Sequence, residues 1–280
     1  MTGSEFTPIA FGLASAALWG AGDFWGGWTS KRQSVYSVVV SSQIVGLLLF
    51  VALAFLSGER VPPSGDLAMS ALAGLAGAIG IIALYRALAE GRMGVAAPVS
   101  AVVAAALPVA AGFVLDGAPK VWQFIGFGLA LIAVWFISRS EDTQLRWREL
   151  NLPLVAGVGF GVFFILIGHV SDRAVWWPLV TVRTVSLSTL VIVATVQRQP
   201  RLVEQRYWLL AALVGALEVG GNAFFALAGQ TGRLDVAAVI SSLYPATTVW
   251  LAWLILKERL SRPQLLGVVA ALAAIVLISL

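Results

Sequence analysis

The chain has 280 residues, of which 59% are hydrophobic and only 11% charged, with a formal net charge of +4 and a mean hydropathy of +0.91. Soluble domains carry about a quarter of their residues as charges, so this composition excludes a water-soluble fold and reads as a membrane protein. The absence of cysteine excludes disulfides, thiolate metal sites and cysteine nucleophiles.

A crossing of the hydrocarbon core needs about 20 predominantly apolar residues. Ten segments qualify, at roughly 8–28, 34–56, 67–89, 93–115, 120–138, 152–172, 175–197, 207–230, 233–256 and 262–280. Met1 to Thr7 carries no basic residue ahead of a cleavage site and does not read as a removable signal peptide. The connections are short and hold the bases, which accounts for the isoelectric point near 9.8 without a nucleic-acid footprint.

The first segment contains Asp23 about two-thirds along its length, with Gly12, Ala16, Trp19, Asp23 and Gly26 aligned on one face by helical spacing. Tyr85 and Arg86 close the third segment, where Arg86 can snorkel to the headgroups. Pro98 and Pro108 interrupt the fourth and Pro245 the ninth; such interior prolines remove backbone hydrogen bonds and loosen a helix. Ser100 and the Ser241-Ser242-Leu243-Tyr244 string flank these breaks, which are expected to border a substrate site. His169 is the single histidine and reads as interfacial or packing. Arg183 lies about two turns inside the seventh segment. Glu218 lies midway along the eighth, sharing a face with Gly215, Asn222 and Phe225.

Shifting the chain against itself by 141 positions lays Gly20 on Gly161, Gly74 on Gly215, Gly91-Arg92 on Gly232-Arg233, Val95-Ala96-Ala97 on Val236-Ala237-Ala238, Ser100 on Ser241 and Gln123 on Gln264. The protein is one unit written twice. Residues 1–139 form the first five-segment repeat, 140–151 connect, and 152–280 form the second. An odd number of crossings inserts the second unit from the opposite side of the bilayer, the inverted repeat of secondary transporters. The expected fold is an all-α membrane protein of ten transmembrane helices, two inverted five-helix repeats around a central cavity.

Ionisable groups at membrane depth are costly, by about 2.5–3.5 kcal/mol each at a helix centre on insertion scales, and call for a reason. Two readings stand for Asp23, Glu218 and Arg183. In one, Arg183 neutralises Glu218 or Asp23 and the pair holds helices together. In the other, the two carboxylates line a cavity and exchange a proton or hold a cation. The glycines, Gly22-x-x-x-Gly26 and the Gly74, Gly77, Gly80 series among them, read as helix contacts. Trp19, Trp25, Trp135, Trp250 and Trp253 lie deep enough to face either lipid or a substrate path.

Ala87-Leu88-Ala89-Glu90-Gly91-Arg92-Met93-Gly94-Val95-Ala96-Ala97-Pro98 resembles the third-to-fourth helix junction of the EamA family of the drug/metabolite transporter superfamily. Val236 to Pro245, Leu256-Lys257-Glu258-Arg259-Leu260-Ser261 and Gln264-Leu265-Leu266-Gly267 resemble that family's second-repeat signature, and Leu18-Trp19-Gly20 its opening. The resemblance covers essentially the whole chain. It implies a ten-helix inner-membrane carrier with cytoplasmic termini that exports amino acids or other small metabolites. Asp23 departs from the family, where an uncharged residue is common after the Trp-Gly pair.

The expected function is a secondary transporter, an exporter of a small polar or zwitterionic metabolite such as an amino acid, working by alternating access. Its candidate substrate-binding residues are Trp19, Asp23, Tyr85, Ser100, Glu218, Asn222, Ser241 and Tyr244. Expected partners are a small-molecule substrate, protons as candidate coupling ion, and membrane lipids, without nucleic acid; no cofactor and no metal is expected. Alternatives are a transporter of amphipathic or lipid-linked molecules and a non-transporting membrane scaffold. An intramembrane enzyme is disfavoured: one histidine, no cysteine and no His-x-x-x-His spacing leave no nucleophile with a base and no metal cluster.

Orientation is read two ways. Arg60, Lys120, Arg173 and Arg233 lie on the face of the termini, against a dozen Lys and Arg on the other, which places the termini outside. The resemblance implies the reverse. Single cysteines at Ser57 and Ser140, in the second and fifth connections, are expected to react with an impermeant maleimide from opposite sides of the membrane. Labelling of both from one side contradicts the alternation of crossings.

Overall fold

The computed structural model describes residues 3–90, 93–116, 121–138, 147–171, 174–230, 241 and 243–278. Among these the backbone forms α1 (Gly3–Ser30), α2 (Val35–Ser57), α3 (Ser64–Glu90), α4 (Met93–Asp116), α5 (Val121–Ser138), α6 (Trp147–Ser171) and α7 (Trp176–Val196). A short 3-10 turn (Gln205–Tyr207) then leads to α8 (Trp208–Gln230), followed by α9 (Tyr244–Leu256) and α10 (Arg262–Ile278). Hydrocarbon offers peptide groups no water, so a spanning segment satisfies its hydrogen bonds within itself, as a helix. Five described stretches are long and apolar enough to cross a membrane: Val35–Ser57, Ser64–Glu90, Leu150–Ile167, Trp176–Val196 and Gln205–Phe225. Val95–Leu107, Tyr244–Leu256 and Leu265–Leu277 are shorter apolar helices.

Two boundaries differ from the sequence expectation. Helix α6 begins at Trp147, inside the segment read as a connection, because Leu150 is buried and anchors the first turn. Pro245 falls in the first turn of α9 rather than in a helix interior. There its missing N–H is one of the donors that lack an intrahelical partner anyway, and with Ser241 helical and Leu243 in a turn it stands at a break in the segment. The string 231–240, with the Val236 to Ile240 part of the signature, lies outside the described residues.

The loops gather into two groups. On one side Gln33 and Ser34, between α1 and α2, meet the α7–α8 connection: Gln33 Nε2 donates to Glu204 Oε1 at 3.1 Å and Ser34 Oγ to Gln199 Oε1 at 3.3 Å. Lys31 pairs there with Glu258, from the α9–α10 connection, at 3.8 Å. The Gln33 amide, and after it Arg206, holds the exposed Glu204 carboxyl below the ordinary glutamate range. On the other side Glu59, between α2 and α3, accepts the backbone N–H groups of Val175, Trp176 and Trp177 at 2.7, 2.9 and 3.0 Å. Helix α7 has no capping side chain of its own, and Glu59 supplies the anion that its N-terminus attracts.

Helix directions follow from the contacts. Phe11 meets Phe224 and Ser15 donates to the Gly221 carbonyl, so α1 and α8 run antiparallel. Tyr36 donates to Gln197 while Phe50 lies near Arg183, so α2 and α7, equivalent helices of the two repeats, are also antiparallel. Ser241 donates to the Gly12 carbonyl and Thr248 to that of Gly20, so the chain leading through α9 runs parallel to α1.

Repeated glycines make repeated contacts. A methyl on Gly20 would strike the Tyr244 carbonyl and Thr247, just as one on Gly161 would lie 2.7 Å from Leu107. One on Gly74 would lie 2.6 Å from the Val182 carbonyl oxygen, and one on Gly215 would strike that of Ser42. Helix backbones touch here because hydrocarbon provides no hydrophobic drive between helices and close approach must replace it. The small residues of α5 and α10 pack together on one flank, with Ala130, Ala133, Ala271 and Ala274 buried. Large apolar side chains such as Leu48, Phe55, Leu56 and Leu209 face outward, 66%, 71%, 83% and 83% exposed, far more apolar surface than water tolerates.

Gly161→Leu is expected to lower the melting temperature in detergent, at a cost of about 1–3 kcal/mol for overpacking. Gly128→Ala, where an added methyl meets nothing within 4 Å, is expected to leave it unchanged or raise it. Equal effects of the two contradict close packing at Gly161.

Candidate functional site

A cavity of about 120 Å3, counted as space open to the centre of a water molecule, opens between helices of both repeats. That is room for on the order of ten waters, the volume of a small metabolite. Helix α1 contributes Trp19 and Asp23, and α8 contributes Glu218 and Asn222, each pair four residues apart and so on one face. Helix α7 adds Leu179, Val182, Arg183 and Ser186, α2 adds Gln43 and Phe50, and Tyr244 enters from the start of α9. Gly77 and Ile81 of α3 and Phe160, Phe163 and Phe164 of α6 complete the described wall.

The charged groups converge. Arg183 Nη2 stands 3.9 Å from Glu218 Oε2, an ion pair looser than a hydrogen bond. Its guanidinium carbon lies 5.5 Å from the Phe50 ring centre, within cation–π range. Gly46 lies beside the guanidinium: a methyl there would be in ordinary contact with Arg183 Nε at 3.5 Å. Gly22 makes room for Glu218, whose Oε1 lies 3.1 Å from where a side chain would begin. Asp23 is only 5% exposed, and among the described residues no cation lies within ion-pair distance of it. With every group ionised the described wall carries two carboxylates and one guanidinium, a net charge of −1.

Neutral polar groups are partly committed. Asn222 Nδ2 donates back to the Glu218 carbonyl at 2.7 Å, leaving its amide oxygen available. Tyr244 stands edge-on to Trp19 at 6.5 Å and hydrogen-bonds Ser100. Gln43 Oε1 and Ser186 Oγ are buried without a hydrogen-bond partner.

Of the eight residues singled out in the sequence, Trp19, Asp23, Glu218, Asn222 and Tyr244 line the cavity. Tyr85, Ser100 and Ser241 are buried but are not part of its lining. The Tyr85 ring fills the space against Gly26, Ser100 Oγ donates to the Ala97 carbonyl at 2.9 Å, and Ser241 Oγ reaches Gly12. No described residue of α4 lines the cavity, contrary to the expectation that the Pro98 helix borders it. Among the deeper tryptophans Trp250 and Trp253 are 56% and 59% exposed on the outer surface; the side chains of Trp135 and His169 lie outside the described residues. Among those residues no group of three or more His, Asp and Glu is placed to hold a metal.

Sequence reasoning missed Gln43, Ser186 and the three phenylalanines of α6. A signal for two of them was present. The 141-residue shift carries Trp19 and Asp23 onto Phe160 and Phe164, and Gly77 and Ile81 onto Glu218 and Asn222, and all eight line the cavity.

Residues 6–139 and 149–280 each match the model of the EamA-like transporter family. An uncharacterized protein of Methanocaldococcus jannaschii is 28% identical over 131 residues, covering 47% of this chain and 94% of that protein, which is therefore about one repeat long. A solved crystal structure aligns over 96% of this chain and 95% of its own with a TM-score of 0.67 at 12% identity, a likeness of fold.

Replacing Arg183 by Met strands Glu218 in the interior and is expected to cost about 3–5 kcal/mol of stability. Arg183→Met combined with Glu218→Gln is expected to recover most of that loss in a detergent denaturation series. A double variant as unstable as the sum of both single ones contradicts the pair.

Proposed function

The chain belongs to the EamA-like transporter family and so to the drug/metabolite transporter superfamily, and from that premise we propose that it is a secondary transporter exporting a small polar or zwitterionic metabolite that carries an amino group, such as an amino acid. The single observation that carries this reading is a cavity bordered by both repeats whose wall holds Asp23, Glu218 and Arg183. Charges at membrane depth belong to ion and substrate paths. The ten segments cross the inner membrane in alternation, and the two repeats are inverted relative to each other; the antiparallel run of α2 and α7 and the sorting of loops into two groups support this.

Alternating access follows from such an arrangement. The two halves rock about the cavity, held at backbone contacts such as Gly20 with Tyr244 and Gly74 with Val182, where small residues let one helix slide on another. Asp23 and Glu218 read the charge of the substrate, or carry a proton when it is absent. Trp19 and Tyr244 supply apolar faces with hydrogen-bonding tips. Arg183 pairs with Glu218 and holds it in place.

Counterflow in liposomes holding the purified protein, screened over amino acids, amines, purines and sugars with and without a pH gradient, tests the reading. Asp23→Asn is expected to reduce transport at least tenfold while the protein stays folded. Undiminished transport by that variant across pH removes Asp23 from the mechanism, and no counterflow of any compound rejects the carrier.

A further inference from the structure

The cavity is built from equivalent positions of the two repeats, yet its two walls have opposite chemistry. Trp19, Asp23, Glu218 and Asn222 on α1 and α8 face a wall whose equivalents are Phe160, Phe164, Gly77 and Ile81 on α6 and α3. One wall reads charge and hydrogen bonds; the other presents phenyl rings and, at Gly77, a recess. A symmetric ligand, or one polar all round, would leave either the acids or the phenylalanines unmatched. The matching ligand is amphipathic.

Its charge follows from the count. With every group ionised the described wall carries a net charge of −1, and its one guanidinium is already paired with Glu218. A zwitterion adds no net charge and brings a carboxylate toward two others, whereas a monoamine cancels the imbalance beside Asp23. Gln43 also lines the cavity, and its buried Oε1 has no donor among the described residues. Phenyl and indole faces around a cation add attraction in a site removed from water.

We propose that the ligand of this cavity is a small organic amine of charge +1 with an aromatic or branched apolar body, the ammonium on the α1–α8 wall and the body against Phe160, Phe163 and Phe164. This rests on the carrier reading above and narrows its substrate from zwitterions to monocations.

Calorimetric titration of the full-length protein in nanodiscs tests it with four probes: 2-phenylethylamine, phenylalanine, ethylamine and 2-phenylethanol. 2-Phenylethylamine is expected to bind at least tenfold more tightly than each of the others, which respectively add a carboxylate, lack the ring and lack the charge. Phe164→Leu, which keeps an apolar side chain, and Phe160→Ala are expected to weaken 2-phenylethylamine about tenfold and leave ethylamine unchanged. Phenylalanine or ethylamine binding as tightly as 2-phenylethylamine, or no heat from any probe, overturns the proposal. Counterflow of some other metabolite without 2-phenylethylamine binding rejects the amine and keeps the carrier. Binding of 2-phenylethylamine without counterflow of any compound rejects the carrier and keeps the amine.

Discussion

Three ionisable side chains at membrane depth impose the constraint from which the rest of the interior follows. Asp23, Glu218 and Arg183 cannot face acyl chains at a cost of about 2.5–3.5 kcal/mol each, so α1, α7 and α8 turn those faces inward, and a cavity with room for water forms where they meet. The glycines answer to the same constraint. Gly22 clears volume that the Glu218 carboxylate occupies, while Gly20 and Gly215 bring helices into backbone contact around it. Polar commitments elsewhere are kept short: Thr29, Ser42, Ser70 and Thr181 donate to carbonyls of their own helix, so they need no space and no partner.

Duplication explains the skeleton and divergence explains the site. Equivalent glycines at 20 and 161 make equivalent contacts, so both halves keep the packing of one ancestral unit. A relative about one repeat long has the size of such a unit. Identical halves would set two copies of each charge around one axis, and in a low dielectric two like charges at close range are costly. Phenylalanine at 164, the position equivalent to Asp23, and glycine at 77, the position equivalent to Glu218, avoid this and leave a polar wall facing an apolar one.

Much of the interior was legible in the residues. An acid in an apolar segment is rare enough to mark itself, and helical spacing then drew in Trp19 from Asp23 and Asn222 from Glu218. Tyr244 was reached through its proline. Ser100, Ser241 and Tyr85 were drawn in by the same logic of polar groups at depth, but a hydroxyl can satisfy itself on a nearby carbonyl, and Tyr85 is held by a ring-sized gap beside Gly26. Phe160, Phe163 and Phe164 were illegible by composition because a phenylalanine facing lipid and one facing a cavity read alike. Only the repeat register distinguishes them. Gln43, a neutral amide in an apolar run, gave a weaker signal than a charge, though it is buried with an unpartnered oxygen.

The most direct measurement is the reactivity of single cysteines in this cysteine-free chain toward a small hydrophilic thiosulfonate, which is attacked by the thiolate and so reports water at the sulfur. Asn222→Cys, on the face shared with Glu218, is expected to react within minutes in a reconstituted membrane, while Leu48→Cys on the outer apolar surface is expected to stay unmodified. An inert thiol at 222 together with a reactive one at 48 contradicts an aqueous cavity at the centre of the bundle and leaves Asp23 and Glu218 without their environment.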